Sequence, residues 1–369
     1  MSNPSIAKSR EERTVNAFRL CLALMAVLPA IAGAAEKETL LREIGGRAAE
    51  REAAGERVLA GRDGWLFFVG ELRSVSIGPF WGEAAAGVSR AARPALADPL
   101  PAIVEFHRQC EAAGVELILV PVPPKAVIYA DRILEAAVPG PDGSPPRLDL
   151  HHQAFYRRLR EEGVQVLDMT ETFLRLRDAD EGGLYCKHDT HWSSRACLLT
   201  AQAIRQKVAA RPWVKSAVRR AIARYEAPLA IRGDLWGYIE KAKAEAETLP
   251  MIYAGTPREN QAIPAPVEPD RDSPVILMGD SHTLVFHVGG DLHARGAGLA
   301  DHLALEFGFP VDLVGVRGAG TTVPRIDLAR RRDNLKGKKL VIWCFSARQF
   351  TESVNGWMTG VPVVKTADQ

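Results

Sequence analysis

Four short apolar runs set the frame of the chain: residues 115–122 (VELILVPV), 275–278, 311–316 and 340–345. Runs of this length without polar alternation are the pattern of strands covered on both faces. Between them, helical spacing predicts helices over 100–113, 150–162, 193–209 and 324–334, with Ser193 or Ser194 as the cap of the third. A further strand is expected at 164–167, and a helix-like segment after Gly279. Strands alternating with helices predict an α/β fold, a mainly parallel doubly wound sheet flanked by helices.

The flanking regions follow other patterns. Residues 36–60, rich in Ala, Glu and Arg, predict an amphipathic helix; Gly61-Arg62-Asp63-Gly64 then reads as a turn entering the β-prone run Trp65-Leu66-Phe67-Phe68. From about 226 to 272, scattered prolines and mixed polarity predict an irregular insertion. The first 34 residues stand apart: Lys8, Arg10, Arg13 and Arg19 precede an apolar stretch over 20–32, and Ala32-Gly33-Ala34 offers a small-x-small cleavage site. That is the pattern of a secretory signal. An uncleaved inner-membrane anchor at 20–32 is the other reading, although the stretch is shorter than the ~20 residues of a spanning helix. Either way residues 35–369, expected to form the functional domain, leave the cytoplasm.

Composition narrows the field. At 369 residues and 47% apolar content the chain has ample material for a core. Lys plus Arg (47) nearly balance Asp plus Glu (45), so no strong field argues for nucleic acid. Beyond the leader stand Cys110, Cys186, Cys197 and Cys344. An even number in an exported chain permits disulfides, and Cys186 with Cys197 would staple the segment between them; as unbridged thiols they would be small buried hydrophobes.

That segment contains Lys187-His188-Asp189-Thr190-His191-Trp192-Ser193, and the run at 275–278 ends in Gly279-Asp280-Ser281-His282. Together they supply a nucleophile, a base and an orienting carboxylate. A serine hydroxyl needs an imidazole to take its proton, and the imidazole works best when a carboxylate fixes its tautomer. In extended chain Asp189 and His191 project to the same side. Each string alone also reads otherwise, as a turn with Asp189 bonded to local backbone, or as a helix cap at Asp280-Ser281. His188, His191, Asp189, Asp280 and His282 invite a metal reading, but the Asn-His and paired-His strings of a dinuclear phosphoesterase do not follow, so no metal or other cofactor is expected. Other candidates lie near predicted strand ends. Gly318 and Gly320, with Arg317, form a turn able to approach an oxyanion, or only a tight turn, and Lys125 follows the run at 115–122 as a sheet-edge amine or a surface lysine.

In these residues the chain resembles the alginate O-acetyltransferase family, periplasmic proteins with an SGNH hydrolase-like domain in which Asp-x-His precedes the serine string. That order is the reverse of ordinary SGNH esterases. The resemblance extends to Gly61–Phe67, Pro124-Lys125 with Tyr129, Gly233-Asp234-Leu235, and Val341-Ile342-Trp343 with Arg348. It implies Ser281 as nucleophile, His191 as general base and Asp189 as its orienter, with Gly318 or Gly320 as an oxyanion glycine. There are departures: the superfamily's oxyanion asparagine has no counterpart at a strand end, so a backbone amide, Arg317 or another group must complete the hole. Cys344 stands where many relatives carry an acidic residue, and the chain ends at Gln369 without room for the carbohydrate-binding domain that some members append.

The resemblance implies acetyl transfer to a secreted polysaccharide, alginate or a similar polymer, through an acetyl-serine. It also implies a membrane-bound acyltransferase as donor partner, other polysaccharide export proteins, and the periplasm as location. A secreted carbohydrate acetylesterase would use the same triad with water as acceptor. A polysaccharide-binding scaffold with an inactive site would keep the fold without the chemistry.

Overall fold

The computed structural model describes residues 35–137, 145–179, 182–239, 245–259, 261–318 and 320–364; the leader and its 20–32 stretch lie outside them. At the centre are five parallel strands in the order β4-β3-β10-β8-β9, formed by β3 (Glu116–Val122), β4 (Gln165–Val166), β8 (Val275–Gly279), β9 (Asp312–Gly315) and β10 (Leu340–Ser346). Successive residues of each strand enter opposite cores. Ile118, Val120, Leu277, Ile342 and Cys344 pack on one face, and Leu117, Leu119, Ile276, Met278, Val341 and Trp343 on the other. Burial on both faces is why these strands read as unbroken apolar runs.

Helix α1 (35–53), α2 (Val69–Ser76), α4 (Lys125–Ile128), α6 (Thr170–Leu176), α7 (Ser194–Lys207) and α8 (Leu299–Phe307) contribute to the first core. The second is built with α3 (Pro99–Ala112), α5 (Leu150–Glu161) and α9 (Thr322–Arg331). Among the described residues no helix is long and apolar enough to cross a membrane.

The expected elements of the sheet are present, and three other expectations need correction. The helix predicted over 36–60 ends at residue 53; Gly55 takes φ 72, and the chain turns into β1 (Val58–Ala60), which pairs antiparallel with β2 (Leu66–Phe68). The predicted irregular insertion is a three-stranded antiparallel sheet, β5 (Ala223–Ile231), β6 (Glu247–Arg258) and β7 (Gln261–Pro266). Two of its five prolines are accounted for by pairing: Pro228 faces Pro250 across the β5–β6 pair, while β7 joins β6 only from Gly255 onward. Both prolines therefore sit on locally free strand edges, where no amide donor is required. The helix-like segment after Gly279 is one 3-10 turn, Ser281–Thr283. Phe286 then enters the left-handed region at φ 60, which ends helical winding, and its amide instead closes a loop onto Leu292 O.

Candidate active site

The sheet's carboxyl edge gathers the segments that the sequence singled out, since β3 runs into Lys125, β8 into Ser281, β9 into Arg317-Gly318 and β10 into Arg348. Open α/β sheets bind ligands at this edge. The nucleophile turn is built on Gly279, where an added Cβ would stand 1.6 Å from Cys344 O; only glycine lets β8 and β10 approach this closely. Asp280 then caps the turn. Its Oδ1 accepts from His282 N at 2.9 Å, and its Oδ2 accepts from Ser346 N at 2.9 Å, which fastens the turn to the end of β10. Ser281 is left half-buried at the rim.

The segment between α6 and α7 crosses this edge and delivers the other two groups. A bridge between Tyr185 and Trp192 closes it, and Ser193 caps α7 by accepting from Ala196 N. His191 Nε2 lies 2.8 Å from Ser281 Oγ, and His191 Nδ1 lies 2.6 Å from Asp189 Oδ1. A carboxylate only accepts, so Nδ1–H donates to Asp189 and Nε2 is free to accept from the serine. The pair faces the serine through a turn rather than through extended chain: Asp189 Oδ1 also accepts from His191 N at 2.9 Å. The turn reading and the catalytic reading of Asp189-Thr190-His191 thus describe one geometry.

Asp189 Oδ2 accepts from Asp234 N (2.9 Å) and from His293 Nε2 (2.8 Å). Burial opposes ionisation of Asp189, yet the charge and hydrogen bond of His191, with the bond from His293, hold its carboxyl well below the usual carboxylate range. Burial also opposes charge on His191, but Asp189, helped by Asp234 at 3.8 Å, raises it above the ordinary imidazole value. The result is an ionised carboxylate, a strengthened base and a serine in line.

Lys125 corrects its expectation. It is fully buried, and its Nζ donates to Leu66 O (2.7 Å), Lys187 O (2.9 Å) and Asp189 O (3.0 Å) while lying over the Trp65 and Phe67 rings. Burial lowers it to about 8. It is neither a surface lysine nor a substrate-facing amine but a clamp that ties the Asp189 segment to β2. Arg348 lies over the Phe68 ring, 3.9 Å from Glu71 and 3.3 Å from Ser346 Oγ, and its charge is felt at His191, His282 and Asp280. Gly318 is exposed with open space around it, Gly320 is buried against Ser353, and Arg317 pairs at the surface with Asp291 (2.6 Å).

The expected staple is absent: Cys186 and Cys197 are free, buried thiols, as are Cys110 and Cys344. Cys186 Sγ donates toward Trp192 O at 3.9 Å and Cys197 belongs to the core beneath α7, so the Tyr185–Trp192 bridge closes the segment instead. Of the residues in the metal reading, Asp189 and His191, with Asp234, bring donor atoms within 4.8 Å of one another. Those atoms already serve the hydrogen bonds of the triad and of Thr190, so the donor set fits proton handling better than a cation. His188 is buried on the other side of the segment. There it lines a cleft of about 970 Å³ together with Trp65, Lys187, Tyr238 and Glu247; neither Ser281 nor His191 lines that cleft.

Sequence reasoning missed the roles of Asp234 and His293. For Asp234 a sign existed, because Gly233 precedes it: an added Cβ there would meet His188 O at 2.1 Å, so glycine is needed for the two segments to touch. His293 carries no comparable mark.

The sequence of this chain is similar to that of the probable alginate O-acetylase AlgJ of Pseudomonas aeruginosa, 23% identical over 295 residues, 79% of this chain and 70% of that protein. In structure it is similar to the O-acetyltransferase domain of Pseudomonas putida AlgJ, with TM-score 0.57, 20% identity, and 80% and 92% of the two chains covered. It is likewise similar to AlgX of Pseudomonas aeruginosa, with TM-score 0.58, 15% identity, and 85% and 68% covered. At these identities the structural likenesses show a shared fold alone. The family model described as the SGNH hydrolase-like domain of acetyltransferase AlgX matches residues 58–347, most of the chain including Asp189, His191 and Ser281, and the chain belongs to that family.

Proposed function

We propose that the chain moves acetyl groups onto hydroxyls of a secreted polysaccharide, alginate or a similar polymer, through an acetyl-Ser281 intermediate. The observation that carries this reading is the hydrogen-bonded line Ser281 Oγ–His191–Asp189 at the sheet's carboxyl edge in a chain of the AlgX family. In the first half-reaction Ser281 Oγ attacks the acetyl carbonyl of the donor while His191 Nε2 takes the hydroxyl proton. The tetrahedral intermediate collapses, and the departing donor group takes that proton from His191. In the second, a sugar hydroxyl attacks the acetyl-serine, gives its proton to His191, and Ser281 recovers it on leaving. Asp189 stays ionised throughout and holds the imidazole.

Backbone amides would receive the oxyanion, and we assign one to the turn at Gly318, whose exposed and open backbone lies at the same sheet edge. Arg317 is committed to Asp291 and Lys125 to three carbonyls, which leaves both less suited to that role. We place residues 35–369 in the periplasm as one functional domain, on the strength of the leader's basic-then-apolar pattern, with a membrane-bound acyltransferase as acetyl donor.

The test is Ser281→Ala in cells together with transfer by the purified protein. The variant should fold and leave the polymer unacetylated, and the native protein given an acetyl ester and an oligosaccharide should yield acetylated sugar. Full acetylation by Ser281→Ala overturns the nucleophile; acetate as the sole product at every sugar concentration makes the enzyme an esterase.

A further inference from the structure

Asp189 is bonded to two imidazoles, not one. His191 occupies Oδ1, and His293 Nε2 approaches Oδ2 at 2.8 Å with its side chain only 10% exposed. His293 belongs to the loop that follows the nucleophile turn, so both arms of the triad converge on this carboxylate. The loop bends hard to bring the ring there. His293 adopts φ 74 and ψ −75, and Phe286, against which its ring packs at 5.6 Å, adopts φ 60. Side chains rarely occupy this region, and such outliers concentrate where function fixes the geometry. Hydrogen bonds from His293 N to Gly290 O and from Phe286 N to Leu292 O lock the loop.

We propose that His293 is a second positioning residue of the triad, donating from Nε2 to Asp189 Oδ2 so that the carboxylate cannot rotate and shares its charge between two imidazoles. The proposal rests on Ser281, His191 and Asp189 being the triad. Without His293, Oδ2 keeps only the Asp234 amide, and more negative charge falls on Oδ1. That charge grips the proton of the His191 imidazolium, so the base becomes harder to deprotonate. The charged groups facing His293 are Asp189, Asp234 and His191 on the triad side, and Asp291 with Arg317 at the rim.

The experiment measures kcat and KM of the purified protein for 4-nitrophenyl acetate across pH, in H293F, H293Q and S281A. H293F keeps a ring against Phe286 and loses the donor. It should lower kcat roughly 10- to 100-fold, the range found for hydrogen-bond partners that orient the ligands of metal sites and taken here as the scale for orienting a triad carboxylate, leave KM little changed, and move the ascending limb of the pH profile to higher pH. H293Q restores a donor and should stay within a few-fold of the native enzyme with an unmoved limb. A folded H293F with native kcat and limb overturns the proposal, and so does H293Q falling as far as H293F. If H293F does not fold, the low-field proton of the His191–Asp189 bond decides by NMR on H293Q: retention supports the proposal and loss overturns it. Native turnover by S281A would instead sink the triad itself, a distinguishable result.

Discussion

The site contains two Asp-x-His strings of nearly the same local geometry, with opposite electrostatics. In Asp189-Thr190-His191 and in Asp280-Ser281-His282, the aspartate Oδ1 accepts from the histidine N at 2.9 Å and meets its Nδ1, at 2.6 Å in the first and 3.1 Å in the second. The two rings lie 4.7 Å apart. Yet His191 is raised above the ordinary imidazole value, whereas His282 is lowered to about 4. Both are buried, which disfavours the charged form of each. His191 has a second carboxylate, Asp234, within 3.8 Å and a serine on Nε2; among the described residues His282 pairs with Asp280 alone, and it feels the positive charges of His191 and Arg348. The dipeptide spacing sets the hydrogen bonds, and the neighbours decide which string can act as a base. A neutral His282 also spares the imidazolium of His191 a like charge across the ring contact.

The largest expected effect separates the two aspartates in catalysis. Asp189→Asn should keep the fold and reduce acetyl-ester turnover by about 10⁴-fold, the order seen when a triad carboxylate is replaced by an amide and the tautomer is lost. Asp280→Asn keeps one of the two acceptor oxygens that hold the turn and, standing outside the proton path, should lose far less turnover than Asp189→Asn. Equal losses in two folded variants would break the comparison, because Asp280 would then belong to the proton path.

Stability should rank the pair the other way. Asp280 is completely buried, and it satisfies the amides of both His282 and Ser346. Asp280→Ala leaves two buried amides, and the His282 Nδ1–H, without this partner, at about 1–3 kcal/mol for each unsatisfied group, so denaturant unfolding should register a loss of at least roughly 3 kcal/mol. Asp189→Asn retains acceptor oxygen for its own turn and should lose less. A smaller loss in Asp280→Ala than in Asp189→Asn would contradict the assignment of Asp280 to holding the nucleophile turn.

What the sequence made legible follows from the same physics. The central strands could be read because burial on both faces leaves polar residues only at the ends of β3 and β10, Glu116 and Ser346, and none in β8. The β5–β7 sheet could not, because Ala and Pro fill much of β5 and its inward positions are only partly covered, so apolar–polar contrast is weak. Asp189, His191 and Ser281 were legible through spacing and order along the chain. Lys125 could be located but not understood, since its three acceptors are backbone carbonyls of distant residues, which no side-chain pattern encodes. His293 was invisible for a related reason: a left-handed turn at a non-glycine residue, not a motif, carries it to Asp189.

The smallest effect tests whether His282 is held neutral. Its folded value of about 4 lies below the 6.5 of an unperturbed imidazole, so between these two values the unfolded chain binds more protons than the native one. Stability therefore falls as pH drops through this window, with a slope of up to about 1.4 kcal/mol per pH unit for each such histidine. His152, lowered to about 4, and His302, lowered to about 3, add slopes of the same sign, as do the smaller downward shifts of His151 and His188. His191 and His287 are shifted upward, so their stabilisation is complete below 6.5 and is lost only as pH rises through their folded values. Asp280 and Asp189 are depressed, so theirs is lost only as pH falls below the ordinary carboxylate range. Glu71, Asp234, Asp301 and Glu352 are pushed up by burial and contribute the opposite sign just above the ordinary carboxylate range. The net slope is therefore a difference, and the readout is the change on His282→Gln, which should remove one histidine's share of it between about 4 and 6.5. Denaturant melts at a series of pH values read this directly. An unchanged slope in the folded variant would mean that His282 takes up a proton inside the native protein, and the contrast between the two strings would then rest on Ser281 contact alone.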